Sequence, residues 1–247
     1  MCRKSRVMDM RFLPAGDTAL VVELGDRIDR ALSERVLRLS RRVRDAAPDG
    51  MVEAVPTFRS LLLHYDPLVT SSATLIAALR TIVATDEGAL GRRRLWRVPA
   101  CYAPSCAPDL DEVARCTGLS TDEVVARHAD TQFYVYMIGF TPGYAYMGDL
   151  PGDLQLPRRV DPRVRVPAGS VAIASALTTI YPLESPGGWH LIGATPIRLF
   201  DPGWEQPSLF APGDAVRFEP VGLAEYEAIG AAVANNTYAP HSEEIDR

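Results

Sequence analysis

Lysine is almost absent from this chain. Lys4 is the only one, so every other strongly basic residue is arginine. That excludes several chemistries from the folded body: no P-loop lysine, no Schiff base, no biotin-carrying lysine and no Ser-Lys amidase pair. A reaction that draws on ATP or biotin would take its phosphate cradle or biotin arm from a partner chain. Long hydrophobic runs are missing too, since the longest, residues 133–138, is far too short to span a bilayer. The four cysteines, Cys2, Cys101, Cys106 and Cys116, are spaced as neither a zinc knuckle nor a redox pair. The first ten residues are basic but lack the apolar core of a secretory leader, and Met1, Met8 or Met10 can each serve as the start. Free thiols in a cytoplasmic protein are the expectation. The four histidines (His64, His128, His190, His241) are dispersed, so no metal site is expected. A net charge of -5 without a charged tail gives no footprint for nucleic acid or a membrane surface.

What is present is ample apolar content, 47% over 247 residues, enough for two modest domains. Residues 11–24 hold two apolar runs around the turn signal Pro14-Ala-Gly-Asp17. Asp29 precedes a helical stripe of Leu32, Val36, Leu39 and Val43, whose other face carries Arg35, Arg38, Arg41, Arg42 and Arg44. That basic face reads as solvated, with Glu34 and Asp45 nearby. Residues 51–65 read as strand broken at Pro56, and Ser72 as the cap of a second helix with Leu75, Leu79 and Ile82 inward. Residues 95–102 return to strand, completing a small α+β layer. Asp109 with Glu112, and Ser120 with Glu123, have capping-box spacing, which predicts two short helices. The second carries His128 near its C-terminal end. It is read as a satisfied helix-end residue, favourable to the dipole when charged, with a catalytic role as the alternative. Residues 223–234 predict a last amphipathic helix, and 235–247 a frayed tail.

The most informative stretch runs from 133 to 201. Strands are expected over 133–140, 171–174, 178–181, 190–192, 197–200 and, beyond it, 215–218. Pro and Gly mark nearly every corner, as in an all-β barrel. Arg158, Arg159, Arg163 and Arg165 crowd one Pro-rich loop, which suits a carboxylate, bicarbonate or phosphate ligand, or is simply an exposed structural loop. Tyr144, Tyr146, Tyr181 and Trp189 fit a pocket wall for a small polar ring, barrel-end packing or a protein interface. No self-sufficient catalytic motif is present. Ala168-Gly-Ser-Val-Ala172 lacks the second glycine of a nucleophile elbow, which leaves Ser170, with His128, as the weak catalytic candidates.

As a set, Gly139-Phe-Thr-Pro-Gly-Tyr-Ala-Tyr146, Pro157-Arg-Arg159 with Pro162-Arg163, Val166-Pro-Ala-Gly-Ser170, Ile180-Tyr-Pro182 and Ser185-Pro-Gly-Gly-Trp189 resemble the KipI/PxpB family. That family is also described as allophanate hydrolase subunit 1, or carboxyltransferase subdomains C and D. Pro14-Ala-Gly-Asp17, residues 52–60 and 109–114, and Pro212-Gly-Asp214 extend the resemblance over roughly residues 10–222. The resemblance implies an α+β N-terminal domain (a ferredoxin-like sheet with two helices, residues 10–100) followed by a cyclophilin-like β-barrel. The barrel is expected over 101–222, entered through the two short helices, with a C-terminal helix and tail over 223–247. It also implies a KipA/PxpC-like partner and a PxpA-like third subunit, which together open 5-oxoproline at the expense of ATP used by the complex, this chain being inactive alone. The family alternatives are a carboxyltransferase component acting on a urea-like substrate and a KipI-like module that inhibits a sensor histidine kinase. Phe140, Tyr144, Arg158, Arg159, Arg163, Tyr181 and Trp189 are the substrate-binding expectation. One departure stands out: members carry Gly-Gln-Thr-Gly before Ile-Tyr-Pro, whereas this chain has Leu177 for the Gln and Thr179 for the second Gly. An amide able to bond a ligand is replaced by an apolar side chain, which leaves the substrate open.

Overall fold

A computed structural model describes residues 10–84 and 90–246. Lys4, Cys2 and the alternative starts Met1 and Met8 lie outside the described residues. The chain divides into two compact units that part between Gly91 and Arg92.

The first unit is built on two hairpins and two helices. β1 (Arg11–Pro14) pairs with β2 (Ala19–Glu23), and β3 (Met51–Pro56) with β4 (Ser60–Tyr65), giving an antiparallel sheet in the order β1-β2-β4-β3. Register puts Leu20 opposite Leu63 and Val22 opposite Leu61, so alternation sends all four to one face. There they meet Leu32, Val36, Leu39 and Val43 of α1 (Arg30–Ala46) and Leu75 and Leu79 of α2 (Ser72–Ala84). Full burial of each such side chain contributes roughly 1.5–3 kcal/mol. Asp29 caps α1 by accepting the Leu32 N–H at 3.0 Å. The second helix differs from expectation by one residue: Ser71, not Ser72, accepts the Thr74 N–H, and Ser72 is already helical. On the basic face of α1, Arg41 pairs with Asp45 at 3.9 Å.

The second unit is a closed barrel of seven strands. These are β5 (Arg93–Cys101), β6 (Phe133–Ile138), β7 (Ala145–Gly148), β9 (Ser170–Ala174), β10 (Leu177–Ile180), β12 (His190–Ala194) and β13 (Ala215–Val221). They ring in the order β12-β9-β10-β7-β6-β13-β5, and the pairing of Ala194 with Cys101 returns to β12. β5 was expected in the N-terminal layer and lies here instead, parallel to β13 and register-matched from Leu95–Ala215 to Cys101–Val221. β1 fills the place that β5 would have taken beside β2, so the ferredoxin-like sheet is complete without it. The C-terminal segment is not a frayed tail: β14 (His241–Ile245) pairs antiparallel with the first half of β5. Residues 197–200, expected as strand, make only a single bridge, Phe200 to Ser208.

Inward residues of the barrel, including Val98, Phe133, Val135, Met147, Ile173 and Phe218, form its core. Leu110 and Val113 of α3 (Leu110–Thr117) and Val124 of α4 (Thr121–Asp130) join that core. A separate two-stranded antiparallel sheet, β8 (Arg163–Val166) with β11 (Ser185–Gly187), stands apart from the ring. α5 (Leu223–Ala234) forms where expected but buries no residue fully. Among the described residues, no helix is long and apolar enough to cross a membrane.

Candidate functional site

Alternation along β9 and β10 creates two environments. Val171, Ile173, Thr178 and Ile180 are buried on the barrel side, Val171, Ile173 and Ile180 as part of its core; Ala172, Ala174 and Leu177 belong to a second cluster on the opposite face. The small alanines leave room there for Tyr144, Tyr181 and Trp189, joined by Val166 from β8 and by Tyr146. Tyr144 makes edge contacts with Tyr181 at 5.3 Å and Phe140 at 5.3 Å, a favoured aromatic geometry. Gly187 is needed for close approach, because a Cβ there would fall 2.2 Å from the Tyr181 hydroxyl. Gly143, at φ 78, has a left-handed conformation and would otherwise clash with Phe200.

The aromatics do not form an open pocket wall. Tyr144, Tyr181 and Trp189 are 2%, 1% and 4% exposed, so they are a packed platform. Phe140 is the exception, at 62% exposed. Burial raises the phenols of Tyr144, Tyr146 and Tyr181, which keeps them protonated at neutral pH.

The four loop arginines have different fates. Arg163 forks onto Asp109, with Nη1 2.8 Å from Oδ2 and Nη2 2.6 Å from Oδ1. Arg159 donates to Glu112 at 2.9 Å and to Asp109 at 3.3 Å. Arg165 pairs with Glu184. Arg158 makes no ion pair among the described residues; its guanidinium lies 5.7 Å from the centre of the Trp189 ring, and it tends to lower the Tyr146 and Tyr181 phenols. One free cation thus stands over a platform of neutral phenols and an indole.

Asp109 is the hub that sequence reasoning missed. Its spacing to Glu112 reads as a capping box, yet its side chain makes no cap bond to α3. The carboxylate is 4% exposed and accepts from two guanidiniums and from the Leu191 N–H at 2.7 Å. Charge-assisted bonds of this kind outweigh a single neutral N–H at a helix end. The second expected box, Ser120 with Glu123, forms as anticipated. Between the arginine loop and α3 opens a cleft of about 270 Å³, near the small end of ligand pockets, roughly 300–1,000 Å³. Glu112, Cys116, Arg158, Arg159, Asp161 and His190 line it.

The two catalytic candidates lie elsewhere. His128 is fully buried in the barrel interior, 4.5 Å from the Phe218 ring and 5.0 Å from Phe133. Thr178 gives its hydroxyl proton to the Ala172 carbonyl at 3.1 Å, so its oxygen accepts from His128 Nε2–H at 2.9 Å. His128 Nδ1 then accepts from the Tyr102 hydroxyl at 2.9 Å. Burial pushes the imidazole down to about 3, so the ring is neutral and the expected charge–dipole interaction at the end of α4 does not arise. Ser170 donates to the Pro167 carbonyl at 2.8 Å. Thr179, at the departing family position, donates to the Ala145 carbonyl at 2.7 Å, and Leu177 packs against the aromatic platform. Among the described residues, no group of three or more His, Cys, Asp or Glu side chains is placed to hold a metal.

Comparison with known proteins places this geometry. Residues 10–210 match the family described as "Carboxyltransferase domain, subdomain C and D". The chain is 39% identical to a 5-oxoprolinase subunit of Escherichia coli O157:H7, over 83% of this chain and 93% of that protein. It is 34% identical to the corresponding 5-oxoprolinase subunit of Bacillus subtilis (strain 168), over 86% of this chain and 93% of that protein. Among solved structures, TTHA0988 superposes with a TM-score of 0.74 at 37% identity, over 82% of this chain but 40% of that one. The K. lactis urea amidolyase shares the fold, with a TM-score of 0.78 at 23% identity over 96% of this chain and 16% of that one.

Proposed function

Because this chain belongs to the family of carboxyltransferase subdomains C and D, the KipI/PxpB family, we propose that it is one subunit of a 5-oxoprolinase-like, ATP-dependent complex. In that reading it works in the cytoplasm with a KipA/PxpC-like partner and a PxpA-like third subunit to open the ring of 5-oxoproline. Two relatives named as subunits of 5-oxoprolinase, matched over most of both chains, support the assignment. The near-absence of lysine supports a composite site, in which a partner supplies the phosphate cradle.

Arg158 is the observation that carries the site. It is the one guanidinium of the loop left without a carboxylate among the described residues, and Asp109 fixes its neighbours Arg159 and Arg163. Arginine over an aromatic face, beside protonated phenols, suits the carboxylate of a small ring substrate. Arg158→Ala is expected to lower kcat/KM for 5-oxoproline in the assembled complex about a hundredfold, near the top of the roughly 1.5–3 kcal/mol of a charged hydrogen bond. The melting temperature should fall little, because Arg158 makes no ion pair among the described residues and its contact with the Trp189 ring contributes only about 0.5–1 kcal/mol. Unchanged turnover would refute this assignment.

A binding role is the second reading, favoured by one feature. Val160 and Val164, at the start of the arginine loop and in β8, are 94% and 84% exposed, and Phe140, in the β6–β7 turn, is 62% exposed; bare apolar side chains of this kind fit a protein contact. A regulator would hold a sensor histidine kinase through this surface. An enzyme subunit would hold its partner chain.

A further inference from the structure

Two buried polar atoms beside the cleft have no hydrogen-bond partner, and both belong to residues that line it: Nδ1 of His190 and Nε of Arg159. Neither residue is loosely held. His190 is 7% exposed, and its Nε2 lies 2.9 Å from the Pro157 carbonyl. A carbonyl only accepts, so Nε2 carries the proton, and in the neutral ring Nδ1 is a bare acceptor. Arg159 is fixed through its backbone N–H, which donates to the Gly188 carbonyl at 2.8 Å, and through Nη1, which serves Glu112 and Asp109. Its Nε–H is a donor with nothing to donate to. Orphaned buried groups are rare in native proteins, and a pair of opposite polarity on one cleft calls for a bonding partner.

The polarity of the pair defines that partner. It must present an acceptor to Arg159 and a donor to His190. A carboxylate offers only acceptors, and an ester offers no donor. An amide or urea-type group, H–N–C=O, offers one of each. Arg158 lines the same cleft and is free to take an anionic end. We propose that His190 and Arg159 form an amide-reading subsite, in which His190 Nδ1 accepts the ligand N–H and Arg159 Nε–H donates to the ligand carbonyl. Both atoms are shielded in the unliganded wall, so engagement requires the Arg159 loop to yield slightly. The inference rests on the cyclic-amide reading above and deepens it, making His190 a residue that selects the substrate.

The test uses three probes on the full chain with 15N-labelled histidine: 5-oxoproline, 2-pyrrolidone (the lactam without the carboxylate) and cyclopentanecarboxylate (the carboxylate without the lactam). The His190 Nδ1 resonance is expected to move with both lactams and to stay put with cyclopentanecarboxylate. His190→Gln, which keeps a donor for Pro157 but places no acceptor at the Nδ1 position, should weaken 5-oxoproline binding about tenfold, the loss of one buried hydrogen bond. If no probe moves the resonance, or if cyclopentanecarboxylate moves it as much as the lactams, the orphans are a water site and the subsite is refuted. The two readings can fail separately. Wild-type KM for 5-oxoproline in a turning-over His190→Gln complex sinks the subsite alone, whereas lactam-dependent shifts without any turnover sink the enzymatic reading alone.

Discussion

At the scale of single residues, burial decides what each titratable group can do. His128 titrates near 3 in the folded chain against an ordinary 6.5, because its interior position penalises the cation. The unfolded chain therefore takes up this proton first as pH falls. Its contribution to stability is complete above about 6.5 and is lost between there and about 3, at roughly 1.4 kcal/mol per pH unit. Urea denaturation at pH 7 and pH 5 should show that slope in the wild type, and His128→Asn should flatten it; an equal slope in both would contradict the neutral, buried ring. The candidate site was half legible at this scale. Arginine crowding and the aromatic set pointed to the loop on which the proposed site lies. What organises them was hidden, since Asp109 meets Arg163 across 54 residues of chain and its local spacing suggests a helix cap. His190 gave no signal either, because a lone histidine in a strand has no pattern until its neighbours in space are known.

At the scale of elements, the two periodicities served well where a segment has one wet face. α1 and its inward stripe follow from helical spacing. The periodicities served poorly for strands whose pairing is remote or whose composition is polar. β14 reads His-Ser-Glu-Glu-Ile and lacks any apolar pattern; it forms because the edge of β5 offers unpaired backbone groups and Arg97 meets Glu243 at 2.9 Å. Deleting residues 237–247 should therefore lower the melting temperature by several degrees, on the order of 1–2 kcal/mol, and promote association through the bared edge. A truncated chain that melts like the full one and stays monomeric would show the segment to be dispensable. β7, β8 and β11 also escaped the sequence reading, being only three or four residues long.

At the scale of the whole molecule, a ferredoxin-like layer followed by a β-barrel was legible in the order of elements and in the family motifs, but not the barrel's seven strands. The place of β5 was not. Strand–helix–strand–helix–strand suggests that the last strand completes the first layer, but β1 already occupies that edge, and β5 finds a parallel partner in β13 more than a hundred residues away. The barrel carries a free arginine over neutral aromatics and a cleft with an orphaned donor–acceptor pair, and no lysine stands among the described residues. Under the proposed function, that arrangement holds and orients a small amide and takes its phosphate chemistry from another chain. The most direct test is ATP hydrolysis by this chain, alone and mixed with the proposed KipA/PxpC-like and PxpA-like partners, with and without 5-oxoproline. No activity is expected from this chain alone and 5-oxoproline-stimulated hydrolysis from the mixture; an assembled complex that stays silent with 5-oxoproline would overturn the 5-oxoprolinase reading.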